Sequence, residues 1–195
     1  MNGGNKLYIY KDGFGDGYKA TPAEEAEWAQ EVIANALVKI DTEINAVSFK
    51  GAIDTLRFHN HPDLKDLLVK KMATASASRQ VFFATALWTI YRYERSFELL
   101  VLNLLQHRGE CLNDVFMSLG DFKENASAKK FIVTCMEGND DVLITKANMT
   151  LGIWAYSGMP ALRENNLLQS LQLENKSGTS FKPAVQQLKQ ILEVI

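Results

Sequence analysis

Cysteine is nearly missing from this 195-residue chain. Only Cys111 and Cys135 occur, and both sit inside apolar helical patterns, which excludes a disulfide framework and predicts buried thiols in a reducing compartment. Proline is as rare, with four residues, and five of the twelve glycines fall before residue 18. Beyond that point little punctuates the chain, and no strand-like alternation stands out. No sign of charge dominates. Twenty-one basic residues face 23 acidic ones for a net charge of −2, so nothing attracts a polyanion such as nucleic acid. Long apolar runs are missing too. The most apolar stretch, FELLVLNLL at 97–105, is too short for a bilayer. A basic start followed by an apolar run is also lacking, so no signal peptide is expected and the predicted location is the cytoplasm.

The glycines that do occur cluster in KDGFGDGYKA, residues 11–20. In a calcium-loop frame from Asp12, Asp16 and Gly17 fit positions 5 and 6, but Phe14 and Ala23 stand where ligands are needed. The glycine spacing is not that of a dinucleotide loop, and no Gly-Lys-Ser/Thr follows. The stretch therefore reads as a turn after a short strand, Leu7 to Tyr10, and residues 1–20 as an N-terminal extension. Thr21-Pro22-Ala23-Glu24 then forms a capping box with proline at the first helical position, so a long helix is expected from Thr21 to Val47.

What the chain has in quantity is helical periodicity that returns. Ile33, Ala36, Leu37 and Ile40 recur as Leu64, Leu67, Leu68 and Met72. They recur again as Phe97, Leu100, Val101 and Leu104, then as Ala128, Phe131, Ile132 and Cys135. A second pattern interleaves: Ala52 with Leu56, Phe83 with Leu87, Val115 with Leu119, Ala147 with Leu151. Those leucines are 31, 32 and 32 residues apart. A degenerate fifth copy offers Leu167, Leu168 and Leu171, then Ala184, Leu188 and Ile191, with the last helix expected over Phe181–Ile195. One helical hairpin cannot bury its stripe alone, whereas stacked hairpins make a continuous core. The expected fold is all-α: an α-α superhelix of about five hairpins, roughly ten helices, over residues 21–195.

This pattern resembles the HEAT-like helical-repeat family. In DDVLITKANMTLG, the residues Asp140, Leu143, Ala147, Leu151 and Gly152 fall on the family's second-helix pattern, with Ile144 where arginine is usual. The resemblance implies a binding scaffold whose second helices line a concave surface. It also implies a rival reading, a HEAT-like DNA glycosylase.

Candidate chemistry is thin. HNHPD, with His59, His61 and Asp63, begins like the metal motif of metallo-β-lactamase-type hydrolases, but Leu64 replaces the final histidine. The slot of His59 holds Ile90, Phe122, Trp154 and Ile191 in the other copies, so a partly buried packing histidine is expected. Pro62 is expected near the start of the next helix. No serine lies in G-x-S-x-G, the cysteines occupy core slots, and Asp140-Asp141 reads as a helix cap. No catalytic group, metal or cofactor is expected.

The face opposite the core lies at −5, −2, +2 and +5 from each repeat leucine. There, two basic residues stand against four acidic ones, which disfavours a DNA groove. The same face carries Phe58, Phe82, Thr85, Arg92, Met117, Met149, Ile153 and Tyr156. Aromatic and methionine side chains on a solvent face suit protein recognition. The expected partner is another protein or peptide bound by these eight residues, and neither nucleic acid nor membrane. A small solenoid of this kind suits an inhibitor or immunity-type protein. An adaptor subunit of a larger assembly is a further alternative.

Overall fold

The computed structural model describes residues 20–42 and 45–194, and within them every regular element is helical. The chain divides after Leu64 into two compact units. The strand and glycine turn expected before residue 20 lie outside the described residues.

In the first unit, α1 (Pro22–Thr42) packs on α2 (Ala46–Phe58). The capping box forms as expected. Glu24 accepts from the Thr21 backbone N–H at 2.8 Å, and Thr21 Oγ1 accepts from the Glu24 N–H at 3.3 Å. The single helix expected over Thr21–Val47 is instead two. Asn45, with extended backbone, accepts from the N–H groups of Val47 and Ser48 and caps a new helix there. The apolar stripes of α1 and α2 meet through Ala36, Ile40, Phe49, Ala52, Ile53 and Leu56. Residues 59–63 then make a turn in which Asn60 and Asp63 both take positive φ, and α3 (Leu64–Met72) begins only at Leu64. Pro62 therefore lies in the turn just ahead of α3, near its first position as expected.

The second unit holds most of α3 and then α4 (Ala77–Tyr91), α5 (Arg95–Ser118), α6 (Ala126–Glu137), α7 (Asp141–Tyr156), the single-turn α8 (Leu167–Ser170) and α9 (Phe181–Leu192). The last helix stops before the expected Ile195, with Glu193 at φ 56° closing it. The ten expected helical segments map onto nine helices among the described residues, because α5 contains two of them. A hairpin loop was expected between Leu104 and Val115. The chain bends instead at one residue, His107 (φ −132°, ψ 35°). The buried Cys111 thiol donates to the His107 carbonyl at 3.3 Å.

The core of this unit is a line of aromatic rings from four elements. Trp88 of α4 stacks at 5.2 Å on Phe122, which belongs to the 3-10 turn Leu119–Phe122. Phe122 meets Phe97 of α5, Phe97 meets Phe131 of α6, and Phe131 meets Phe116 near the end of α5. The four repeat leucines expected in the core, Leu56, Leu87, Leu119 and Leu151, are all fully buried. Pairing within a separation near 32 also appears in the polar contacts. Trp88 Nε1 donates to the Asp121 carbonyl, Thr150 Oγ1 to that of Phe116, and Trp154 Nε1 to that of Leu119. Carbonyls of the last turn of α5 and of the 3-10 turn that follows it thus accept from α4 and α7.

Candidate functional site

A concavity between α5 and α7 gathers several of the residues expected to bind. Gly120 makes their approach possible: a Cβ there would lie 2.9 Å from Ile153 Cγ2. With the helices held together by Thr150 and Trp154, a cleft of about 220 Å³ opens between their outward faces. Asn113, Phe116 and Met117 come from α5, and Lys146, Met149 and Ile153 from α7. Spacings of three, four and seven residues put each trio on a single face of its helix. Met117 is 59% exposed and Met149 49%, while Ile153 is half-buried against Gly120.

The other expected residues are placed differently. Tyr156 is 80% exposed one turn beyond Ile153, and the Arg163 guanidinium lies 5.5 Å from its ring centre. On α4, Phe82 and Thr85 are half-buried, and the Thr85 hydroxyl is turned back on the Val81 carbonyl at 2.8 Å. Arg92 is exposed at the C-cap of α4 in the left-handed region, its guanidinium 5.1 Å from the Trp88 ring. Phe58 belongs to the first unit, 66% exposed, edge-on to His59 at 5.1 Å. Met117, Met149 and Ile153 thus share a cleft, and Tyr156 adjoins Ile153 along α7. The sequence reading passed over Asn113, Phe116 and Arg163. Their signal lies in which helices become neighbours, and single-helix periodicity does not carry it.

Burial pushes the Cys135 thiol up to about 12, with the Asp140 charge adding to the effect. Burial, then the charges of Asp114 and Glu110, also raises that of Cys111. Neither is the activated thiolate that nucleophilic catalysis requires. His59 is half-buried, as expected for a packing residue. Among the described residues no three His, Cys, Asp or Glu side chains gather as a metal site would require. Asp140 accepts from the N–H groups of Val142 and Leu143 and so caps α7, as the sequence predicted. It also pairs with Arg108, just past the α5 bend, at 2.6 Å. That hydrogen bond, then those of the backbone, hold its carboxyl below the usual range.

No protein-family model matches the chain, and no curated protein or solved structure matches it. None of the described helices is long and apolar enough to cross a membrane.

Proposed function

We propose that this protein is a non-enzymatic, HEAT-like helical-repeat scaffold whose protein partner docks on the cleft between α5 and α7. The repeat reading is supported by the equivalent burial of Leu56, Leu87, Leu119 and Leu151. It is supported also by hydrogen bonds joining residues 32 to 35 apart: Ser78 with Glu110, Trp88 with Asp121, Thr150 with Phe116 and Trp154 with Leu119. The docking reading rests on one observation: two methionines, Met117 and Met149, are exposed around an apolar cleft. Methionine adapts its shape to an incoming surface at little cost, and protein interfaces are enriched in it. Masking a partner enzyme or toxin is a role such a scaffold suits.

The test is a native pull-down read by mass spectrometry, with variants as controls. A partner retained by wild-type protein should be lost from Met117→Glu/Met149→Glu, since a charge at an interface anchor costs at least ~2 kcal/mol. It should be kept by Lys70→Glu and Glu98→Lys, both exposed and outside the cleft lining. Retention by the double variant, with loss in the two charge swaps, sinks the proposal.

A further inference from the structure

The cleft has one feature that its apolar lining does not explain. Lys146 forms part of its wall and is half-buried, yet its ammonium group has no hydrogen-bond or ion-pair partner among the described residues. Several cations of this unit are engaged, although Lys129 and Lys130 on α6, like Lys146, are not. Arg108 pairs with Asp140, Lys176 with Asp141 and Lys189 with Glu137, and Lys123 donates to the Ser157 carbonyl. Asp114 occupies the slot on α5 that Lys146 occupies on α7, but the two form no ion pair. An ammonium group on an apolar wall gains most from an anion that arrives together with apolar surface, because the arriving surface excludes the water that screens the pair.

We infer that the partner presents a bulky apolar anchor with an Asp or Glu within one helical turn of it, the anchor entering between Met117 and Met149 and the carboxylate pairing with Lys146. The size of the cleft fits a side-chain anchor. About 220 Å³ lies below the ~300–1,000 Å³ usual for small-molecule sites, yet it admits one or two large side chains. Asn113, exposed at the same rim, offers an amide to the carboxylate or to the partner backbone. This inference rests on the docking reading above and adds the charge and spacing of the segment that docks.

The experiment selects peptides from a random display library on the immobilised full-length protein. The best binder is then synthesised and titrated against variants. Peptides carrying an apolar residue with a nearby acid should dominate. Binding of the best one should fall about tenfold on Lys146→Ala, the share expected of one hydrogen bond to a charged group, and further on Lys146→Glu. Replacing its acid by lysine should restore binding to Lys146→Glu and weaken binding to wild type. If the best peptide binds Lys146→Ala as well as wild type but is lost from Met117→Glu, the cleft docks partners without the carboxylate, and this inference fails alone. Selection of basic peptides overturns it equally. If no selected peptide is weakened by Met117→Glu, both this inference and the docking reading fail.

Discussion

Among single residues, Asp140 ties together two jobs that the sequence showed only one of. Its place before a helical pattern marked it as a cap, and it caps. Its pairing with Arg108 had no sequence signal, since the two are brought together by the bend at His107. The pairing makes a pH prediction. The carboxyl is held below its usual range in the folded protein, so its contribution is complete above the unfolded value of ~3.9 and is lost as pH falls through the lower folded value. Arg108→Ala should accordingly melt earlier than wild type near neutral pH. The gap should begin to close below about 3.9 and close fully as pH falls through the lower folded value, where the carboxylate protonates. Thermal scans of both proteins across that range check it. A gap that persists in acid means that Arg108 stabilises by packing alone. Lys146 illustrates a different limit of sequence reading: its charge was visible, but its lack of a partner depends on which side chains the fold brings near it.

Helices were legible where their ends carry a strong local signal and illegible where they do not. The Thr21–Glu24 box set the start of α1 correctly. Of the apolar residues placed on buried stripes, Ile40, Leu68, Leu100 and Ile132 are buried, whereas Ile33, Leu37, Leu67 and Val101 are half-buried. The break at Asn45 was missed because Ile44, Val47 and their neighbours continue a helical pattern across it. The His107 bend was missed because a single residue leaving helical φ/ψ needs neither glycine nor proline. The end of α4 poses a test of the same kind. Arg92 closes that helix at φ 50°, a conformation costing a residue with a Cβ roughly 1–2 kcal/mol, while its contact with Trp88 returns roughly 0.5–1. The backbone term is the larger. Arg92→Gly should therefore stabilise the protein by up to about 1 kcal/mol, whereas Arg92→Ala, which keeps the strain and loses the ring contact, should destabilise it. Urea titrations give both values, and the same sign for the two substitutions would show that Arg92 acts through neither term.

For the whole molecule, the all-helical character was open to sequence reading because one periodicity runs through nearly every segment. The division after Leu64 was not, because the apolar sequence pattern around Leu56 returns around Leu87 on the other side of it. Residues 65–195 enclose their own aromatic line and their own polar staples, so that segment expressed alone should be helical and unfold in one cooperative step. A gradual, non-cooperative melt would mean that its core is incomplete without the first 64 residues. The two indoles that bond the end of α5 bear on how such experiments can be watched. Trp88 and Trp154 are enclosed and both lie in the second unit, whereas Trp28, the third tryptophan of the chain, is half-buried on α1 in the first. Replacing Trp28 by phenylalanine would leave a protein that emits only from the second unit. Its ultraviolet glow would shift to the red when the indoles on either side of α5 meet water, so the molecule already contains an optical probe at the helix pair that forms the cleft.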